Sequence, residues 1–104
     1  MRLARLLIAA GLSVTLAACV DDLPADATGE EIYVELCARC HSADLGGGVG
    51  PALGPGSNAA AQPDEFLTAA ITEGRGRMPS FAQTLSSEQI ERVVAYLRES
   101  QGAS

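Results

Sequence analysis

The chain has 104 residues, thirteen of them acidic against seven arginines, with no lysine, no tryptophan and a net charge of −6. Such a composition does not favour binding to nucleic acid or electrostatic attachment to anionic lipid. With only two tyrosines and two phenylalanines, a single small domain is expected to need a cofactor or cross-link to complete its core.

The N-terminus has the layout of a secretory signal. A basic start at residues 1–5 is followed by an apolar run over residues 6–16, which is too short to be a comfortable membrane-spanning helix. The small residues Ala17 and Ala18 then precede Cys19. We therefore predict a signal peptide over residues 1–18 and export of the remaining chain to the periplasm.

The four residues Leu16-Ala17-Ala18-Cys19 resemble a bacterial lipobox, in which the cysteine is lipidated and becomes the first mature residue. This interpretation also accounts for a third cysteine in the chain. It predicts a lipidated Cys19 with a short acidic tether over residues 19–28, followed by one domain over residues 29–104. The alternative is ordinary signal cleavage, which would release a soluble periplasmic protein.

The first predicted helix begins at Thr28 or Gly29, with acidic residues in its first turn where the helix dipole favours them. Apolar positions recur at steps of four along it, and it runs into the segment Cys37-Ala38-Arg39-Cys40-His41. Two thiols three residues apart, followed at once by a histidine, are the signature of covalent c-type haem attachment. On one helical turn both sulfurs can reach the haem vinyl groups, and His41 can become the proximal iron ligand. The sequence therefore predicts one covalently bound haem c.

Other interpretations of this segment are weaker. A zinc site would need about four ligands, and the exported chain offers only Cys37, Cys40 and His41. A thioredoxin-like pair should follow a strand in a βαβ pattern, and no such run precedes Cys37. A simple disulfide between the two cysteines would leave His41 unexplained.

Two further helices follow a loop rich in glycine and proline over residues 46–56. The second helix is predicted to start with Asp64 as its N-cap and to stop at Gly74. The last begins with a capping box of Ser86 and Gln89 and ends before Gly102. No strands are predicted. The fold class is all-α, with three main helices joined by irregular loops.

Met78 is the candidate for the second axial ligand. It is the only methionine after Met1 and lies in a loop bounded by glycine and proline rather than on a helix face. A lone methionine usually fills a core gap, but beside a haem its thioether can bind the iron and raise the potential. No lysine or second histidine competes with it. Without Met78 the sixth position would go to water or an external ligand.

From Gly29 to Leu97 the chain resembles a small class I c-type cytochrome of the bacterial periplasmic kind. Gly29, Tyr33 and Tyr96 match the small and aromatic positions at which the family packs its first and last helices. The resemblance implies a cytochrome c fold around one haem.

Two loops extend the resemblance. Gly50-Pro51-Ala52-Leu53 resembles the loop whose proline carbonyl accepts the Nδ1–H of the proximal histidine, which implies that Pro51 orients His41 and raises its basicity. Met78-Pro79-Ser80-Phe81 resembles the loop that presents the distal methionine. Leu53 and Phe81 are the further haem-packing candidates, although both could be plain core residues.

One departure from the family is the missing ring of lysines. Of the five arginines after residue 18, three flank the predicted haem ligands: Arg39, Arg75 and Arg77. They could form a basic patch that meets acidic groups of a partner or the haem propionates, or they could be scattered surface charges.

These features predict a monomeric, lipid-anchored one-electron carrier at the periplasmic face of a membrane, whose partners are membrane redox proteins. No general base, nucleophile or pocket for a small-molecule substrate is evident, so we do not expect an enzyme. Two alternatives are a fixed electron-transfer subunit of a dehydrogenase or reductase complex, and a gas-binding or sensing haem protein.

Overall fold

The computed structural model describes residue 11 and residues 23–102. The predicted lipidation site Cys19, and all but one residue of the predicted signal peptide, lie outside the described residues. Within residues 23–102 the only β-type pairing is an isolated bridge between Arg75 and Met78. Among the described residues there is no helix of the length and apolarity that crossing a membrane requires. The predicted all-α class with three main helices is confirmed.

The helical segments follow one another in a simple order. The first three are continuous and form one N-terminal helix over residues 29–41; two further helices and one short 3₁₀ turn complete the described domain. Their bounds are α1 Gly29–Ile32, a π-helical segment Tyr33–Cys37, α2 Ala38–His41, a 3₁₀ turn Ala59–Ala61, α3 Asp64–Glu73 and α4 Ser87–Ser100.

The N-terminal helix begins as predicted and then departs from regular α geometry. The amide of Glu31 donates to the side chain of Thr28, which is the N-cap. Further along, the amide of Ala38 donates to the carbonyl of Tyr33, five residues back instead of four. Such π segments are rare and often lie at functional sites. The apolar residues recur every four positions, as in a regular α-helix, so this pattern could not predict the π segment. The π segment adds one residue to the α-helical repeat at Cys37, where the haem-attachment segment begins.

The N-terminal helix packs against α4 at Gly29. A Cβ placed on Gly29 would lie only 2.1 Å from the carbonyl oxygen of Arg92 and 2.9 Å from the Cβ of Tyr96. One turn further on, the rings of Tyr33 and Tyr96 approach to 5.4 Å between centroids at a tilt of 48°. The predicted pairing of the first and last helices is confirmed, and glycine is required because two backbones approach closely.

A continuous core joins these helices to the loops. Its best-buried members are Ile32, Tyr33 and Val93, none more than 1% exposed. The remaining buried hydrophobic residues are Ala27, Leu45, Leu67, Ile71, Leu85, Ile90, Val94 and Leu97.

The ends of α3 and α4 match the predictions with one exception. Ser86 and Gln89 form the predicted capping box of α4, and α3 ends at Gly74, which has a positive φ of 79°. The prediction that Asp64 caps α3 is wrong, because the N-cap is Pro63 and Asp64 is the first helical residue. The Asp64 carboxylate instead accepts a hydrogen bond from Nε of Arg98 at 2.6 Å.

The chain just before the N-terminal helix lies against α4. Arg92 donates to the carbonyls of Ala27 at 2.6 Å and Ala25 at 2.9 Å, and the Gln89 amide donates to Pro24 at 3.4 Å. Ala27 is only 2% exposed. The part of the predicted tether that the structure describes is therefore packed on the domain.

Replacing Gly29 by alanine should destabilise the domain by about 3 kcal/mol, because the new methyl group would overlap a backbone oxygen that cannot move freely. Helix propensity alone predicts the opposite sign, since alanine is favoured over glycine by about 1 kcal/mol in a helix. Urea unfolding measures the change. Ala95→Leu, at an exposed position of α4, is the matched control and should stay within about 0.5 kcal/mol. A Gly29→Ala protein as stable as the wild type would contradict the close crossing.

Candidate functional site

The two cysteines of the predicted haem segment are free thiols on the last turns of the N-terminal helix. Cys37 ends the π segment and Cys40 lies in α2; both are half-buried. Burial, followed by the nearby Cys40, raises the pKa of Cys37 to about 11. Redox-active and metal-binding cysteines usually have a lowered pKa because a neighbouring positive charge favours the thiolate. Cys37 therefore lacks the environment of a thioredoxin-like nucleophile.

The loop over residues 42–51 folds back onto the end of the N-terminal helix. The last carbonyls of a helix have no partner within it, and here loop amides bind two of them. Gly50 donates to Cys40 at 2.8 Å, and Gly47 donates to His41 at 3.0 Å. The loop is thereby held against the turn that carries both cysteines and the histidine.

The end of this loop orients the imidazole of His41, a residue that is only 7% exposed. Its Nδ1 lies 2.8 Å from the carbonyl oxygen of Pro51. A carbonyl can only accept, so Nδ1 carries the hydrogen and Nε2 is the nitrogen left with a lone pair for a metal. Gly50 lies beside the ring, and a Cβ there would approach Cε1 of His41 to 2.8 Å. The side chain of Pro51 is exposed, so this proline acts at the site through its carbonyl.

A further contact ties this loop to the helix, and the sequence did not predict it. The hydroxyl of Tyr33 donates to the carbonyl of Ser42 at 2.6 Å. Burial, followed by the charges of Cys37, Tyr96 and Asp44, raises the Tyr33 pKa to about 12, so the phenol keeps its proton to donate. The sequence did offer one indication of this contact, which is the presence of a tyrosine at a core position. A buried phenol hydroxyl usually needs a hydrogen-bond partner.

The loop that carries Met78 caps α3 in a similar way. Ser80 donates through its hydroxyl to the carbonyl of Thr72 at 2.6 Å, and Phe81 donates through its amide to Ile71 at 2.9 Å. Arg75 and Met78 exchange two backbone hydrogen bonds, each 2.9 Å long, across a tight turn. Met78 is half-buried and packs against the core.

The other predicted residues differ in burial. Leu53 and Phe81 are half-buried and pack against the core, as either haem contacts or plain core residues would. Arg39, Arg75 and Arg77 are all exposed. The guanidinium of Arg75 stacks on the ring of Phe66, 4.7 Å from its centroid. The basic patch stays a prediction.

These residues fit a covalently attached haem. Two unpaired thiols three residues apart suit two thioether bonds, and the adjacent imidazole offers Nε2 while its Nδ1 is fixed. Several apolar side chains pack against the core while staying half-buried, which suits contact with a large flat apolar group. They are Leu36, Leu53, Phe66, Met78 and Phe81.

Comparison with known proteins gives consistent matches. The family model described as "Cytochrome C oxidase, cbb3-type, subunit III" matches residues 24–97. Cytochrome c6 of Rippkaea orientalis is 36% identical over 78 residues, covering 68% of this chain and 67% of that protein. A nicotinate dehydrogenase subunit of Pseudomonas putida is 33% identical over 98 residues, which are 84% of this chain but only 8% of that protein. The solved c-type cytochrome NirC superposes with a TM-score of 0.60 at 34% identity, covering 73% of this chain and 91% of that one.

Gly50→Ala should destabilise the domain by about 1–3 kcal/mol, because its methyl group would press on the His41 ring and displace either the ring or the loop. Urea unfolding measures the loss. Gly48→Ala in the same loop is the matched control, since a Cβ there meets its nearest atoms at an ordinary 3.5 Å. Equal stability of the two variants would show that the loop does not press on the imidazole as described.

Proposed function

Because the chain belongs to the c-type cytochrome family, and is thus an electron carrier with covalently bound haem c rather than an enzyme, we propose that it serves as a membrane-tethered periplasmic carrier. In this role it passes single electrons between respiratory or photosynthetic-type redox complexes. The iron, when haem is bound, supplies the one-electron chemistry by alternating between the ferric and ferrous states.

The observation that supports the proposal best is the orientation of His41. Its Nδ1–H is bound to the Pro51 carbonyl at 2.8 Å, so Nε2 is the ring nitrogen left to bind a metal. When the ring nitrogen that does not bind the metal donates a hydrogen bond, that bond fixes the orientation of the histidine ring and raises its basicity. We assign Cys37 and Cys40 as the thioether attachment residues, His41 as the proximal ligand and Pro51 as the residue that orients it.

Met78 is assigned as the second axial ligand, with Leu53 and Phe81 as packing residues beside the haem. The Met78 loop is anchored to the end of α3 by several hydrogen bonds. Such anchoring lets the thioether be held in place without a large rearrangement when the iron changes charge. A low-spin iron with two protein ligands exchanges electrons without binding a substrate, as a carrier requires.

The tether is assigned to residues 19–28, with the lipidated Cys19 at its start. Because the chain from Pro24 onward is bound to α4 by Gln89 and Arg92, little free chain separates the lipid from the domain. Four residue steps from Cys19 to Leu23 extend to at most roughly 14 Å. The domain would then remain close to the bilayer surface.

A second candidate function is a fixed electron-transfer subunit of a dehydrogenase or reductase complex. The match to the nicotinate dehydrogenase subunit favours it, since most of this chain aligns with a small part of that much longer protein. A free carrier should purify from detergent-solubilised membranes without other proteins, whereas a subunit should co-purify with the enzyme it serves.

Met78→Ala should abolish the methionine–iron charge-transfer band of the ferric protein and lower the reduction potential, because a thioether ligand favours ferrous iron. Absorption spectroscopy and a redox titration measure the two effects. Phe81→Leu, which keeps the loop and its methionine, should retain the band. A wild-type protein that is already high-spin, or that binds carbon monoxide as readily as Met78→Ala does, would instead favour the gas-binding alternative.

Cys19→Ser should eliminate incorporation of a radiolabelled fatty acid and release the protein from the membrane fraction, because no other cysteine is available for lipidation once Cys37 and Cys40 hold the haem. Metabolic labelling with fractionation measures both outcomes. The wild-type chain is the control: if it is unlabelled and recovered in the soluble periplasmic fraction, ordinary signal cleavage is correct. Labelling of the Cys19→Ser protein would contradict the anchor assignment.

A further inference from the structure

Ser42, the residue directly after His41, has an unusual backbone conformation. Its φ is 70° and its ψ is 150°, a region occupied almost only by glycine because the Cβ of other residues clashes there. A serine in this region is strained and persists only where its surroundings hold it. At this point the chain leaves the N-terminal helix and enters the loop that ends at Pro51.

Every polar group of Ser42 is bound. Its amide donates to Ala38 at 2.8 Å and its hydroxyl donates to Gly47 at 2.6 Å. Its carbonyl accepts from the Leu45 amide at 3.1 Å and from the Tyr33 hydroxyl at 2.6 Å. Three of these contacts come from the same turn or loop and would move with it. Of the four partners only Tyr33 lies outside the loop and the helical turn next to Ser42, and its side chain is fully buried in the core.

We propose that Tyr33 is a positioning residue for His41. Its hydroxyl holds Ser42 in the glycine-type conformation, and that conformation turns the loop so that the Pro51 carbonyl meets Nδ1. Tyr33 is itself immobile, since it is fully buried and packed on Tyr96. Without the hydroxyl, Ser42 can relax toward an ordinary extended conformation, and the loop and its Pro51 carbonyl move away from the imidazole.

The inference rests on the proposed role of His41 as an iron ligand. It means that Tyr33, which lies outside the haem-binding segment, controls the orientation of that ligand. A less tightly bound Nδ1–H makes the imidazole a weaker electron donor to the iron. Ferric iron is then less stabilised, so loss of the Tyr33 hydroxyl shifts the reduction potential upward.

The test compares four haem-loaded proteins: wild type, Tyr33→Phe, Ser42→Gly and the double variant. Solvent exchange of the His41 Nδ1–H, followed by NMR in the ferrous state, should be roughly tenfold faster in Tyr33→Phe, as expected when a hydrogen bond that opposes local opening is removed. In the Ser42→Gly background the phenylalanine substitution should have little effect, because glycine adopts this conformation without strain. The reduction potential should follow the same pattern. Comparison within each background cancels the loss of the Ser42 hydroxyl.

Tyr96→Phe is the matched control, since it removes a hydroxyl from the ring packed against Tyr33 and leaves the bond to Ser42 in place. It should leave the exchange rate unchanged. An equal effect of Tyr33→Phe in both backgrounds, or none in either, would overturn the proposal, because the hydroxyl would then not act through Ser42.

If Tyr33→Phe is recovered without haem, recovery of the haem-loaded double variant supports the proposal, and failure of both variants overturns it. A wild-type spectrum without histidine–methionine ligation would instead refute the proposed function, so the two failures are distinguishable.

Discussion

The unpaired carbonyls at the ends of two helices determine how the site is built. A helix that ends inside a domain must find donors for its last carbonyls or lose the free energy of leaving them buried and unbound. The N-terminal helix finds them in Gly47 and Gly50, and α3 finds them in Ser80 and Phe81. Each solution folds a loop back onto a helix end, and each loop carries a group that we assign to the iron or to its ligand. The hydrogen bonds that cap each helix end therefore also position the group that we assign to the iron or to its ligand.

The core is small, and its architecture reflects this. Few aromatic side chains are available, and two of them form a tilted pair where the N-terminal helix meets α4. Gly29 permits the close approach that this pair needs. Several half-buried apolar side chains pack against the core, so a covalently attached haem would add apolar contact as well as two cross-links. In such a domain a bound haem would contribute to the free energy of folding as well as to electron transfer.

The described part of the proposed tether shows how charge and packing interact in an acidic chain. Arg92 uses its guanidinium to bind three backbone carbonyls, two of them in the chain before the N-terminal helix, instead of an acidic side chain. Arg98 binds both Asp64 and the carbonyl of Ala60. Two of the few arginines are thus used to hold irregular chain against α4. The three arginines near the proposed haem ligands remain exposed, which leaves them available for contacts outside the domain.

Local features of the sequence were sufficient for the three helices, the capping box of α4, the stop at Gly74 and the haem-attachment segment. Each of these depends on residues a few positions apart, where spacing and side-chain chemistry determine the outcome. Asp64 shows the limit of such reasoning. It has the right chemistry for an N-cap, but Arg98, distant in sequence, binds its carboxylate in the folded domain.

The chemistry of the chain can be predicted from its residues alone: which of them can bond a haem, which can bind iron, and which segments are helical. How those residues are held depends on the tertiary fold. The positive φ of Ser42, the Tyr33 hydrogen bond and the contact of Pro51 with His41 depend on the way the loop returns to the helix end. The π segment is a further departure from regular α geometry that the sequence pattern did not indicate. The family resemblance indicated the Pro51 contact, but the strain at Ser42 could not be predicted. A glycine-type conformation in a serine is disfavoured locally, and only the surrounding hydrogen bonds and buried packing make it the stable one.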